Sequence, residues 1–219
     1  MMQIRTFAGG DFQENGYLAV SGEHGPGIVI DPGAVAPSMA RVIREEGIGV
    51  EAIVLTHAHL DHVEGIPAIR EVAPDAPIYL HEGDRRLYEN VDAQARAFHL
   101  PLVGPLPPID RELVPGEDFL FGETRLEIRF APGHAPGHVI LYSEEDGVAF
   151  VGDVVFQGAI GRADLVGGNL HQLMDSIRTK VLTLPDETRL LSGHGPETTV
   201  GWERRTNPFL TGQYGGELV

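Results

Sequence analysis

Short apolar runs separated by glycine-containing turns make up much of the first half of the chain, and they predict β-strands. The predicted strands are residues 2–8, 16–21, 27–31, 51–55 and 77–80. Helical spacing of apolar residues and helix-ending glycine or proline predict helices between them. These helices are residues 38–46, a segment that follows residue 62 and runs to about residue 70, and residues 83–97.

The second half repeats this mixture of strands and helix after an irregular, proline-rich connection at residues 100–109. Its predicted strands are residues 119–121, 125–130, 138–142, 148–151 and 189–191, and its helix is residues 169–182. Strand-rich halves with flanking helices favour a layered α/β sandwich with helices outside two sheets. Because no linker-like composition divides the chain, we predict one domain over residues 1–219.

A polar cluster directly follows the apolar run 53–55, and its composition indicates a functional site. His57, His59, Asp61 and His62 place three imidazoles and a carboxylate within six residues. Burying such groups without partners costs free energy, whereas a bound cation satisfies them together. The cluster therefore predicts one part of a metal site.

Three later segments share one local arrangement, in which an apolar strand is followed by a glycine and then by a side chain that can bind metal. They are Gly133-His134, Gly152-Asp153 and Gly193-His194. Strand ends that meet at one edge of a sandwich bring such side chains together, and glycine lets the backbones approach closely. These segments therefore predict the rest of the metal site.

The side chains divide into two sets that suit a pair of divalent metal ions. His57, His59 and His134 form a neutral set, Asp61, His62 and His194 form a second set, and Asp153 bridges the two. The chain has no cysteine, so thiolate ligands are excluded. Histidine and carboxylate ligands suit zinc, iron and manganese alike, and of these we expect zinc.

Charge and hydropathy limit the partners. The 32 acidic and 16 basic residues give a formal net charge of −16, which disfavours binding to nucleic acid phosphates. No apolar run approaches the length of a membrane span, and the first residues do not resemble a secretion signal. We therefore expect a cytoplasmic protein that acts on a small molecule, and the oligomeric state stays open.

The motif HxHxDH at residues 57–62, with the later Gly-His, Gly-Asp and Gly-His pairs, resembles the metallo-β-lactamase-fold hydrolase superfamily. The resemblance implies a four-layer αββα sandwich with a binuclear metal site at the sheet edge. By the same resemblance, one metal is bound by His57, His59, His134 and Asp153. The second metal is bound by Asp61, His62, His194 and Asp153.

Further segments are similar to compact bacterial members of the glyoxalase II-type branch, the hydroxyacylglutathione hydrolases. They are residues 131–138, 152–156, 161–165 and 193–199, with Glu203 and residues 207–209. The carboxylate at Asp153 argues against true β-lactamases, which typically lack it. Only a short tail follows His194, whereas authentic glyoxalase II enzymes carry a further helical domain that helps to hold glutathione. The resemblance thus implies thioester chemistry without the glutathione contacts of that domain.

These observations predict a hydrolase of small thioesters, with S-lactoylglutathione-like compounds as the model substrate. A metal-bridging hydroxide would attack the carbonyl carbon, and Asp61 would orient it and take its proton. The sequence shows no obvious strong general acid, which favours a thiolate leaving group over an amine. The main alternative is a persulfide dioxygenase that holds a single iron through His57, His134 and Asp153. An ester or lactone hydrolase, a nuclease and a non-catalytic metal-binding protein are the others.

Three residues near these motifs each have two interpretations. His138 either orients a ligand or is a strand histidine with a backbone partner. Asp31 either bonds the ligand loop or forms a turn before Pro32. Arg162 either binds a substrate carboxylate or pairs with Asp164, and the pairing is favoured.

Overall fold

The computed structural model describes residues 1–212, which form two six-stranded sheets and a small hairpin. The first sheet contains β1 Met2–Gly9, β2 Glu14–Ser21, β3 Gly27–Ile30, β4 Val50–Val54, β5 Ile78–Leu80 and β6 Arg111–Glu112, in that spatial order. The second half contributes β7 Asp118–Phe121, β8 Thr124–Phe130, β9 Val139–Ser143, β10 Val148–Gly152, β11 Val155–Phe156, β12 Ala159–Ile160, β13 Arg189–Ser192 and β14 Thr198–Thr199. The second sheet has the order β14-β13-β10-β9-β8-β7, and β11 pairs with β12.

Helices lie on the outer faces of the two sheets. They are α1 Ala36–Glu46, α2 Leu60–Val63, α3 Ile66–Arg70, α4 Arg85–Glu89, α5 Val91–Ala97, α6 Leu170–Ser176 and α7 Val200–Thr206, with a 3₁₀ turn at Glu82–Asp84 and a π-helical turn at Ile177–Val181. The first helix begins two residues earlier than its spacing predicts, with Pro37 in its first turn, where proline is favoured. It ends at Gly47, which is left-handed with φ +64°.

Three hydrophobic clusters separate the layers. Alternate strand residues point to opposite faces of each sheet, so Tyr17 and Ile30 of the first sheet meet Phe121 and Phe150 of the second between the sheets. The outer face of the first sheet packs against α1, α2 and α3, and that of the second sheet packs against α6. Full burial of one such side chain contributes about 1.5–3 kcal/mol. The predicted αββα sandwich is confirmed.

The structure interrupts each of the longer predicted helices. The helix after the polar cluster divides into α2 and α3 at Gly65, where a Cβ atom would collide with the carbonyl oxygen of Gly33 and the side chain of Ala36. The predicted helix 83–97 divides at Asn90, and the predicted helix 169–182 continues after α6 as the π-helical turn. These helix interruptions depend on packing against the sheets, which a local sequence pattern does not show.

The two sheets are joined at the edge where β4, β8, β10 and β13 end. The amide of Val139 donates to the carbonyl of Thr56 at 2.9 Å, and the amide of Asn15 donates to the carbonyl of Gly193 at 2.7 Å. The Asn15 side chain adds hydrogen bonds to the carbonyls of Ser192 and Gly195. All four predicted ligand segments therefore lie at one edge of the sandwich. Within residues 1–212, every helix is too short or too polar to cross a lipid bilayer.

Candidate metal centre

The histidines of the first set converge as the sequence predicts. One ring nitrogen of each of His57, His59 and His134 lies within 4.8 Å of the others. His59 Nδ1 is 2.8 Å from His134 Nε2. His57 and His59 flank Ala58 in the extended segment after β4, and His134 comes from the loop between β8 and β9. The three rings thus face one small volume.

The second set lies on the opposite side of Asp153. Asp61 and His62 occupy the first turn of α2, and His194 follows β13. His194 Nε2 is 3.3 Å from Asp61 Oδ2, and His62 Nε2 is 3.8 Å from the same oxygen. These three side chains also satisfy the 4.8 Å condition.

Asp153 lies between the two sets and contacts both. Its Oδ1 is 3.4 Å from His62 Nε2, and its Oδ2 is 3.4 Å from both His134 Nε2 and His194 Nε2. A carboxylate in this position can give one oxygen to each of two cations. The structure brings all seven predicted site residues together.

Unpaired buried atoms test whether a cation fits here. His57 Nε2, His62 Nε2 and Asp153 Oδ1 are buried and have no hydrogen-bond partner among the described residues. An unpaired buried polar atom is costly, and a divalent cation is a partner for nitrogen and carboxylate oxygen alike. The donor set of imidazoles and carboxylates therefore suits divalent metal ions.

The imidazoles of the first set are held neutral, which is the form that binds metal. Burial lowers the pKa of His57 well below its usual value. Burial and the neighbouring His134 lower the pKa of His59 to about 3, and burial also lowers the pKa of His134.

In the second set, the pKa values of the histidines are instead raised. Burial opposes the charging of His62, but Asp61 and Asp153 together hold its pKa well above the usual value. Burial likewise opposes the charging of His194, yet its hydrogen bonds to Asp153 and Asp61 raise its pKa to about 10. Burial alone would raise the pKa of Asp153, but His62 and His134 lower it well below its usual range. The carboxylates are therefore ionised and available as ligands.

Asp31 supports the ligand loop, as the first of its two interpretations states. Its Oδ1 accepts from the amide of Thr56 at 2.7 Å, and its Oδ2 accepts from Thr56 Oγ1 at 2.6 Å. The same Oδ2 lies 3.1 Å from His62 Nδ1, which leaves His62 Nε2 facing the site. Asp31, His57 and His62 could also group around a metal, but both oxygens of Asp31 already accept these hydrogen bonds.

His138 and Arg162 also act on neighbouring site residues. His138 Nε2 accepts from the amide of Asp153 at 3.0 Å, and its ring stacks on His57 with the centroids 4.7 Å apart. The Arg162 side chain pairs with Asp164 at 2.9 and 3.0 Å, as the favoured interpretation states. The carbonyl of Arg162 accepts from His134 Nδ1 at 2.8 Å, which directs His134 Nε2 toward Asp153.

Asp84 is a supporting residue that the sequence does not indicate. It is fully buried, with Oδ2 accepting from the amide of Ala58 at 3.0 Å and Oδ1 accepting from the amide of Gly137 at 2.5 Å. It thereby ties the loop of His57 and His59 to the loop that follows His134. Its one local signal is its place before a helix, where aspartate is common in any protein.

Glu14 is a second buried acid that sequence reasoning missed. It begins β2, forms a bridge with His194 through the backbone, and is 1% exposed. Burial raises the pKa of its carboxyl to about 9, so the group is neutral at pH 7.

Two glycines allow the backbones to approach as predicted. A Cβ atom at Gly193 would collide with Asp153 Oδ1 and with the ring of His62. Gly152 has φ +46°, and a Cβ atom there would lie 2.5 Å from Thr56 Oγ1 and 2.6 Å from His138 Nε2. Glycine is therefore required at both positions.

Comparisons with known proteins agree with this geometry. A family model described as the metallo-beta-lactamase superfamily matches residues 9–194. The chain is 38% identical to a probable metallo-hydrolase, YqgX, of Bacillus subtilis, over 96% of this chain and 99% of YqgX. It is 39% identical to the hydroxyacylglutathione hydrolase GloC of Haemophilus influenzae, over 91% of this chain and 93% of GloC.

Solved structures extend the likeness to three dimensions. The crystal structure of TTHA1623 in a di-iron-bound form is 42% identical, with a TM-score of 0.85 over 94% of this chain and 100% of that one. The crystal structure of the BLEG-1 B3 metallo-beta-lactamase is 35% identical, with a TM-score of 0.88 over 96% of this chain and 100% of that one.

Proposed function

Since the chain belongs to the metallo-beta-lactamase superfamily, we propose that it is a metal-dependent hydrolase of small thioesters that uses two divalent metal ions. The observation that carries this proposal is the meeting of two ligand sets at Asp153. The relative named as a hydroxyacylglutathione hydrolase supports the choice of thioesters.

The seven residues would hold the two ions as follows. His57, His59, His134 and Asp153 would bind one ion, and Asp61, His62, His194 and Asp153 would bind the other. When bound, such ions lower the pKa of coordinated water toward 7 and polarise a substrate carbonyl. Zinc is the ion that we propose, and iron or manganese suit the same donors.

Asp61 is the carboxylate that we propose to orient the attacking water and to accept its proton. Its side chain is part-exposed, whereas that of Asp153 is more enclosed and contacts three histidines. His62 holds Asp61 ionised against the effect of burial, so the pKa of Asp61 lies below its usual value. An ionised carboxylate at the open side of the site can take a proton from water.

The leaving group also favours a thioester. The hydroxyl of Tyr17 donates to the carbonyl of Ser192 at 2.5 Å, and Arg162 is paired with Asp164. Neither side chain is therefore placed to protonate a leaving group. A thiolate departs without a proton, whereas the amine of an amide or a β-lactam requires one.

The deciding experiment combines metal analysis of natively purified protein with hydrolysis assays on S-lactoylglutathione and a β-lactam. We expect two metal ions per chain and faster hydrolysis of the thioester. One iron per chain, with oxygen consumption on a persulfide, would replace this proposal with a dioxygenase. Faster hydrolysis of the β-lactam would contradict the proposed substrate class.

A further inference from the structure

A groove of about 530 Å³ opens beside His59. One wall comes from α4 and α5 and includes Leu87 and Phe98. The other wall comes from the second half of the chain and includes Pro136 and Val166. Because the groove begins at a residue of the metal centre and is built from both halves, a substrate held there would reach the reacting atoms.

The walls of the groove are mainly apolar and open to solvent. Val166 is 84% exposed and Phe98 is 40% exposed, although both are large apolar side chains. Exposed apolar residues that cluster along a groove mark a surface for an apolar ligand. This groove can therefore take an apolar arm of a substrate.

The groove has few polar groups, and one of them already forms hydrogen bonds within the protein. The Gln94 side chain donates to the carbonyls of Ala58 and Leu87 and accepts from the amide of Leu60, so it holds the ligand loop. Arg86 is exposed, and its guanidinium has no ion-pair or hydrogen-bond partner among residues 1–212. Arg86 is thus the charged group that remains for recognition.

Charge distinguishes this groove from the rest of an acidic molecule. Within the described part of the chain, its lining contains no carboxylate. The chain has twice as many acidic as basic residues, and another large groove contains Asp11, Glu64 and Glu71. A cation among apolar walls that contain no carboxylate complements an anion on an otherwise apolar molecule.

We propose that this groove binds an apolar arm of the substrate that carries a carboxylate, and that Arg86 pairs with this carboxylate. The inference rests on the proposed hydrolase function and narrows its substrate class to anionic thioesters with an apolar arm. The planar guanidinium can form two parallel hydrogen bonds to a carboxylate, which gives both affinity and orientation. The anion can lie on the acyl arm or on the thiol arm, and the two positions require separate substrates.

Matched substrate pairs test the proposal on the metal-loaded enzyme. The first pair places the anion on the thiol arm, as S-acetyl-3-mercaptopropionate and its amide. The second places it on the acyl arm, as a glutaryl thioester and a pentanoyl thioester of one neutral thiol. We expect Arg86→Gln to lower kcat/KM about tenfold or more for the anionic member of at least one pair, mainly through KM. We expect the neutral member to be unaffected.

Arg85→Gln is the matched control, because Arg85 is the preceding exposed arginine and lines a separate cavity with Tyr88 and Pro107. It removes the same charge and should leave all four substrates unchanged. A loss on anionic and neutral substrates alike, no loss with Arg86→Gln, or an equal loss with Arg85→Gln would overturn the proposal.

A binding measurement separates this inference from the proposed function. Calorimetric titration uses thioethers of the two anionic substrates, in which CH₂ replaces the reacting carbonyl, and continues with the thioether that the wild type binds more tightly. Arg86→Gln should weaken its binding about tenfold or more, and Arg85→Gln should not. If the enzyme hydrolyses no thioester, the proposed function fails, and the thioether titration still decides whether the groove binds the anionic arm. Equal thioether binding by Arg86→Gln and the wild type would overturn the groove proposal alone.

Discussion

His138 accepts a hydrogen bond at Nε2 from the backbone amide of Asp153, at a distance of 3.0 Å. Burial lowers the pKa of His138 well below its usual value, so the ring stays neutral and keeps an acceptor nitrogen. Asp153 is the residue on which both ligand sets converge. The hydrogen bond therefore fixes the backbone that carries the shared carboxylate.

We expect His138→Phe to reduce metal content and thioester hydrolysis about tenfold to a hundredfold, because loss of a residue that orients a ligand has effects of this size. Phenylalanine fills the volume but cannot accept the hydrogen bond. His138→Gln offers an acceptor oxygen and should retain more metal. Elemental analysis and kcat measurements check this, and equal metal content in the two variants would contradict the positioning role.

Gly193 packs against both His62 and Asp153, and a methyl group there has no room. We expect Gly193→Ala to displace one of these side chains, lower metal occupancy and cost about 1–3 kcal/mol of stability through overpacking. Gly49→Ala is the matched control, because Gly49 has no left-handed φ and a Cβ atom there meets nothing within 4 Å. Metal analysis and denaturant unfolding of both variants test this, and equal metal content would refute the steric argument.

Asp61 has a catalytic role in the proposed mechanism, and its amide tests that role. Asp61→Asn keeps the shape but cannot take a proton from water. We expect kcat for thioester hydrolysis to fall about a hundredfold or more, the range that general base catalysis contributes. Metal content is measured in parallel, so that loss of an ion is distinguished from loss of the base. A near-wild-type rate in fully loaded protein would remove Asp61 from its assigned role.

Asp84 should give the protein a distinct dependence of stability on pH. Burial raises its pKa from 3.8 to about 6, although the amides of Gly137 and Ala58 oppose this shift. The folded state therefore binds the proton more tightly than the unfolded state, and stability falls as pH rises from about 4 to about 6. The loss from this group is up to about 3 kcal/mol.

The side-chain amide of Asp84→Asn does not titrate, so this variant should lack the pH-dependent contribution of Asp84 to stability. We expect the unfolding free energy of the wild type, relative to that of Asp84→Asn, to decrease between pH 4 and pH 6 and to stay constant above pH 7. Denaturant unfolding of chelator-treated protein at intervals of one pH unit measures this difference. A difference that does not change with pH would show that Asp84 keeps an ordinary pKa in the folded state.

The sequence predicts the two sheets and the convergence of the seven site residues, because each ligand follows an apolar strand that ends at the same edge. His134, Asp153 and His194 each stand after a glycine in this position, which is a local signal. The contacts of Asp84 and His138 could not be predicted in the same way. Each reaches a backbone amide in another loop, and such contacts follow from tertiary packing.

Some elements of secondary structure could not be predicted from the sequence either. The two-residue strands β6, β11, β12 and β14 are too short to show alternation, so no periodic pattern marks them. Gly65 shows how packing overrides a helical pattern, because the close approach of Gly33 requires a glycine and ends the helix that the apolar spacing predicts.

The joining of the two sheets by Asn15 and Gly193 has a consequence for biosynthesis. The groups that would capture the two ions lie on both sides of this junction, from residue 57 to residue 194. During translation, the nascent polypeptide cannot form both proposed ligand sets until residue 194 has left the ribosome. Binding of both proposed ions would consequently distinguish a polypeptide that has folded through residue 194 from one that was arrested or truncated before it.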